Sequence, residues 1–237
     1  MRKVIAITCS MFLLATTVFS QKDKDKEIKI EGSGNVVTKD VPVQPFDQLE
    51  ANGIFNVVLT QGNKESLKIE AEDNLQPLFE VKNGGGKLMV DMKKDSHFNS
   101  KKKMTVYITF KNLKSMDLKM VGNVTSTGNL NFGDLSLANK SVGSVDLALH
   151  AQKLDIDNKS VGNLKLSGKA ENAVIRSNSV GAIKASDLLV QTMDIDNDGV
   201  GSAEVNAVKE LKVKDSFLGK VKNTGSATAK RINKVVI

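Results

Sequence analysis

The chain carries a Val-Gly step that returns at Val121-Gly122, Val142-Gly143, Val161-Gly162, Val180-Gly181 and Val200-Gly201, with Leu218-Gly219 as a sixth. Successive glycines lie 21, 19, 19, 20 and 18 residues apart. Each step is flanked by apolar-x-apolar segments. A unit this short cannot bury its apolar face alone, so a near-constant period predicts coils that bury theirs against neighbours. Period-2 patterning makes the units strands. The expected fold is all-β: a single-domain parallel β-solenoid, like a β-helix, with about 19–21 residues per coil, stacked about 4.8 Å apart.

Aligning the coils on their glycines turns the sequence into columns. One inward column reads Leu135, Leu154, Ala173, Met193, Leu211, and its neighbour Leu137, Ile156, Ile175, Ile195, Val213. Beyond the glycine comes Val145, Leu164, Ile183, Ala203, Val221. Between them lie outward columns. In Asp157, Arg176, Asp196, Lys214 the sign alternates from coil to coil, which opposite-charge pairing on adjacent strands favours. Asp146, Lys165, Lys184, Glu204, Lys222 is the second outward column and a candidate binding surface. Just before the step, Asn139, Asn158, Ser177, Asn197 and Asp215 share a column, and stacked asparagines at a turn form a side-chain ladder. The glycines are assigned to the corner for their backbone freedom, with Val142 and Val145 both expected to point inward.

Upstream the pattern is less regular. Residues 1–20 read as a signal peptide: Arg2 and Lys3, an apolar run from Val4 to Phe19, and Val18-Phe19-Ser20 ahead of Gln21. Residues 21–45 read as a charged linker with a first strand, and 46–237 as the solenoid domain, with regular repeats over 116–237. Alternating strands are expected around Leu49–Leu59, Leu67–Ala71, Leu88–Met92 and Met104–Phe110, with Asp73–Phe79 the one place for a short helix. Aromatics make up 4% of the chain, with no Trp, so the core must be aliphatic.

Little here can do chemistry. The single cysteine, Cys9, lies inside the apolar leader, which removes disulfides and thiolate sites from the mature chain. The only histidines, His97 and His150, stand without a motif, which argues against a triad or histidine metal site. Asp194-x-Asp196-x-Asp198-Gly199 opens like a calcium loop, but the twelfth position is Val205 rather than Glu. Outward strand positions account for Asp194 and Asp196 equally well. No cofactor and no catalytic residue is expected. The net charge is +7. Part of it is local: Lys93, Lys94, Lys101, Lys102 and Lys103 form a candidate loop for an anionic partner, with Asp95 among them. Nucleic acid is not expected, since stacking aromatics are missing from this patch apart from Phe98.

At Phe46-Asp47-x-Leu49, Gly53-Ile54-Phe55-Asn56-Val57, Gln61-Gly62, Asp73-Asn74-Leu75 and Leu88-x-Val90, together with the Val-Gly repeats, the chain resembles the head-GIN-domain family. That family comprises exported proteins of Gram-negative bacteria labelled auto-transporter adhesins. The resemblance runs from Phe46 to the C-terminus. It implies a solenoid over the whole domain, with the first segment wrapped in as irregular coils, and no catalytic residues.

The leading expectation for function is a non-enzymatic exported protein, periplasmic or on the outer surface, that presents a rigid solenoid face to a glycan, another polymer or an envelope protein. After cleavage of the leader it would not be integral to the membrane. An assembly role through edge-to-edge pairing, self-association included, is the alternative, and a polysaccharide-active enzyme a distant third. Right-handed coiling is the default for parallel β connections.

Overall fold

A computed structural model describes residues 29–94 and 96–232. The leader with Cys9, residues 21–28 of the expected linker, Asp95 and residues 233–237 lie outside the described residues. The first part contains ten strands: β1 (Ile30–Glu31), β2 (Val36–Val41), β3 (Gln48–Ile54), β4 (Asn56–Gln61), β5 (Ser66–Glu72), β6 (Phe79–Gly84), β7 (Lys87–Met92), β8 (Phe98–Asn99), β9 (Thr105–Phe110) and β10 (Ser115–Val121). Seven follow: β11 (Val124–Asn139), β12 (Val145–Asn158), β13 (Leu164–Ser177), β14 (Ile183–Asn197), β15 (Ala203–Asp215), β16 (Val221–Asn223) and β17 (Ala229–Arg231). The expected short helix is a 3₁₀ turn at Gln76–Leu78.

From β10 onward every pairing is parallel, each coil lying on the one before. The columns read from sequence are the observed ladders: Leu135, Leu154, Ala173, Met193 and Leu211 pair in that order, as do Leu137, Ile156, Ile175, Ile195 and Val213. All ten are at most 1% exposed. Single aliphatic side chains fill a narrow interior that rings would overfill.

The stack does not begin at β10. β3 pairs in parallel with β10, and β4 with β11, so Gln48–Gln61 forms an earlier coil. Its corner is Gly53-Ile54-Phe55-Asn56, with Ile54 beside Val121. Asn56 there accepts the Asn123 backbone N–H at 2.9 Å. One more parallel layer lies beyond it, β7 on β3 and β9 on β4, and antiparallel strands then close this end: β6 on β7, β5 on β9 and β2 on β5. The irregularity expected of the N-terminal coils is therefore a switch from parallel layers to antiparallel strands, of which β6 and β7 form a hairpin. The aromatics collect here, with Phe110 stacked on Phe132 at 5.9 Å and Phe55 against Phe79 at 5.6 Å.

The glycine corners depart from expectation in one respect. Gly122, Gly143, Gly162, Gly181 and Gly201 hold φ between 135° and 149°, and a Cβ on Gly162 would sit on the carbonyl oxygen of Gly143. Only glycine fits there. The inward/outward alternation nevertheless runs through the corner unchanged: Ser160 and Leu164 point in while Val161 and Lys165 point out. Val142 therefore faces solvent at 49% exposure, whereas Val145 is fully buried. The parity shift sits at the opposite bend, where two successive residues such as Gln152 and Lys153 are both exposed between Ala151 and Leu154. The sixth step is looser, since Gly219 does not share the φ of the other five.

Candidate functional site

The polarity of the corner is inverted relative to an ordinary strand. The asparagine ladder is inside: Asn139, Asn158 and Asn197 are 1–2% exposed. Burying amides is tolerable only when they are bonded. Asn139 donates to Asn158 Oδ1 at 2.9 Å, and Asn158 donates to Ser179 Oγ at 3.1 Å. The Ser141 and Ser160 hydroxyls donate to Asn139 Oδ1 and Asn158 Oδ1 at 2.5 and 2.8 Å. Asn197 donates to the backbone oxygens of Gly201 and Gly219. This ladder is a fixture of the fold, and with the corner glycines it sets where each coil turns.

The column Asp146, Lys165, Lys184, Glu204, Lys222 lies outward in unbroken register along the stack. Asp146 pairs with Lys165 at 3.1 Å and Glu204 with Lys222 at 3.6 Å. Lys184 stands between them without an ion pair among the described residues. The structure extends this column past the sequence repeats, through Thr125, Val58, Tyr107 and Lys68. Nothing in the sequence announced those members, because β4, β5 and β9 reach the column by long connections rather than by the repeat. The result is a single polar stripe running from the hairpin end to the last coil, with Tyr107 its only ring.

On the adjacent face, Asp157, Arg176, Asp196 and Lys214 are neighbours in register. Lys214 bonds Asp196 at 2.9 Å, which raises the pKa of the lysine through that hydrogen bond and the attraction of the carboxylate. Arg176 reaches diagonally to Asp155 at 2.5 Å instead of to Asp157, and Asp157 takes Lys159 at 3.0 Å. Asp194 and Asp196 alternate with inward Ile195 along β14. A strand holds alternate residues about 6.6 Å apart, so these carboxylates line a row rather than wrap around a centre. No grouping of three metal-ligating side chains occurs among the described residues.

The five lysines do not form one loop. Lys93 and Lys94 follow β7, and Lys101, Lys102 and Lys103 precede β9, with β8 between them strapped in parallel to β1. All five side chains are exposed. The strap is held by Glu72, a buried carboxylate that accepts Ser100 Oγ at 2.7 Å and the backbone N–H groups of Gly34 and Lys101 at 2.6 and 2.9 Å. The Ser100 hydroxyl and then these amides hold its pKa below the usual carboxylate range, against the opposing effect of burial. Lys102 and Lys103 border a shallow cleft with Ile54, Phe55, Phe98 and Val121. Lys93 and Lys94 do not.

These features define a class: a parallel β-solenoid closed at one end by antiparallel strands, with its chemistry spread along stripes. Residues 45–227 match the family described as "Putative auto-transporter adhesin, head GIN domain", and the chain belongs to that family. A solved structure from Bacteroides fragilis, described as a "putative adhesin", shares 30% identity at a TM-score of 0.73, covering 86% of this chain and all of its own. A "putative adhesin" from Parabacteroides distasonis shares 20% at 0.61, over 87% of this chain and 98% of that one. A second protein from that organism, described as a "putative lipid binding protein", shares 15% at 0.56, over 86% and 100%. The latter two likenesses establish fold alone. A search of curated proteins finds no match. No helix among the described residues is long and apolar enough to cross a membrane.

Proposed function

We propose that this protein is an exported, non-enzymatic binding module of the cell envelope that meets an extended polymer or protein partner along the stripe Asp146, Lys165, Lys184, Glu204, Lys222. The observation that carries this reading is the register: five ionisable side chains from five coils stand in one line at a fixed pitch of about 4.8 Å. A repeating ligand can engage such a line several times over, and modest contacts then add through avidity. Family membership and the likeness to the Bacteroides fragilis protein support a binding rather than a catalytic role. So does the spread of the polar groups along stripes, since general acid–base chemistry needs groups converging on one reacting atom.

Two measurements test it. Protease shaving of intact cells, against a periplasmic control, places the protein: loss of signal fits outer-surface adhesion, and protection until the outer membrane is opened removes that part of the reading. Surface plasmon resonance against charged polysaccharides and envelope glycans then compares wild type with K165E/K184Q/K222E. The proposal expects loss of binding with unchanged circular dichroism. Equal binding by this variant overturns the stripe.

A further inference from the structure

The corner valines form a second stripe of the opposite character. Ile54, Val121, Val142, Val161, Val180, Val200 and Leu218 project outward one above another: Ile54 pairs with Val121, isolated parallel bridges join Val121 through Val200, and Gly201 N–H donates to the Leu218 carbonyl at 3.2 Å. The five valines are 49–55% exposed, Ile54 51%, Leu218 59% and the adjacent Phe217 86%. Seven rungs at strand spacing make an apolar ridge about 29 Å long and one side chain wide. Strand propensity explains a β-branched residue at six of the seven rungs, but threonine would satisfy it with a hydroxyl facing water. The sequence places valine there five times in succession.

The charges beside the ridge are chiefly positive. The column two residues before each rung reads Asn52, Lys119, Lys140, Lys159, Asn178, Asp198, Ser216, and the column two residues after reads Asn56, Asn123, Ser144, Asn163, Ala182, Ser202, Lys220. Of these lysines, Lys119 pairs with Asp117 at 2.7 Å and Glu50 at 3.5 Å, and Lys159 with Asp157 at 3.0 Å, which leaves Lys140 and Lys220 without an ion pair among the described residues. At the hairpin end Lys102 and Lys103 meet the ridge where Ile54 and Val121 line the cleft. Asp198 is the only acid in either flanking column.

We propose that this ridge docks the solenoid lengthwise onto an anionic membrane leaflet, the valines entering the headgroup boundary and the flanking lysines meeting lipid phosphates. An apolar stripe with lysines at its margins and a phenylalanine at one end is the pattern by which amphipathic helices lie in an interface, here built on a β-corner. The shape selects a leaflet over a protein partner. A convex ridge one side chain wide must be straddled by any rigid partner, whereas lipid closes around a projecting ridge. Facing two antiparallel copies about Val161 would also set Lys159 against Lys159. The inference uses neither the polar stripe nor its partner, so each stands or falls separately.

The test is flotation of the purified protein with vesicles of 70% phosphatidylethanolamine and 30% phosphatidylglycerol, and with pure phosphatidylcholine vesicles. V121E/V161E/V200E places charges on alternate rungs, and V142T/V161T/V180T keeps β-branching should the first variant fail to fold. Wild type should float with the anionic vesicles alone, less so as salt rises, and both folded variants should bind at least tenfold more weakly. Binding that survives in the ridge variants, or no binding by wild type, overturns the proposal. So does a wild-type dimer in sedimentation that the variants convert to monomer, which would make a second copy the occupant.

Discussion

The two ends of this molecule solve the same burial problem differently. Coils β11 to β15 repeat one solution, aliphatic columns inside and a glycine corner, and each coil contacts only its neighbours. The first part, β1 to β9, adds antiparallel strands, buried phenylalanines and the Glu72 clamp to its parallel layers. The difference follows from where each sits. A repeating coil always has another to pair with, but the first coil exposes an unpaired edge, and open parallel edges invite association. Antiparallel strands occupy that edge; among the described residues the far end carries the three-residue strands β16 and β17. The repeat thus fixes what is presented, and the irregular part fixes where the stack begins.

Replacing Gly162 with Ala should bring the largest loss. Its φ of 140° and the Gly143 carbonyl both oppose a Cβ, so about 3 kcal/mol or more is expected from strain and clash together. G133A, in the same solenoid with open space at the Cβ, should lie within about 0.5 kcal/mol of wild type in urea melts. Equal effects would mean that the corner does not control the stack. Next, Asn158→Ala strands buried donors and acceptors on two coils and should cost about 1–3 kcal/mol.

A smaller and more local effect is expected at the hairpin end. Because the pKa of Glu72 is lowered on folding, its contribution is fully present above the ordinary carboxylate range and is lost as pH falls through the depressed value. Protection of β1 and β8 against hydrogen exchange, relative to the intrinsic rate at each pH, should therefore fall on acidification before that of β12 and β13, and E72Q should show the low protection already at neutral pH. Smallest of all, K165M should change stability by about 1 kcal/mol or less, an effect that salt erodes, because the Asp146 pair is half exposed.

Much of the repeat was legible in the sequence, because aliphatic columns and a constant period are the same fact seen along the chain and across it. The direction of the corner valines was not. Reading apolar as inward placed Val142 beside Val145, whereas strand parity from buried Asn139 and Ser141 turns it out. The inversion holds because Asn and Ser bond one another from coil to coil, a compensation invisible before register is known. The first coil hid for a related reason: Gly53-Ile54-Phe55-Asn56 occupies the corner with its glycine before the rung instead of after it. Of the polar stripe, the five repeat members could be read from their spacing, and Thr125, Val58, Tyr107 and Lys68 could not.

The central claim is one continuous stack, closed at the hairpin end and tapering to the short strands β16 and β17 at the other, and native-state hydrogen exchange resolved by strand tests it most directly. Protection should be highest around β10 to β12, decline along β13 to β15, and be lowest in β16 and β17. Earliest opening at β3 and β4, or a hairpin region that exchanges independently of the coils, would contradict it.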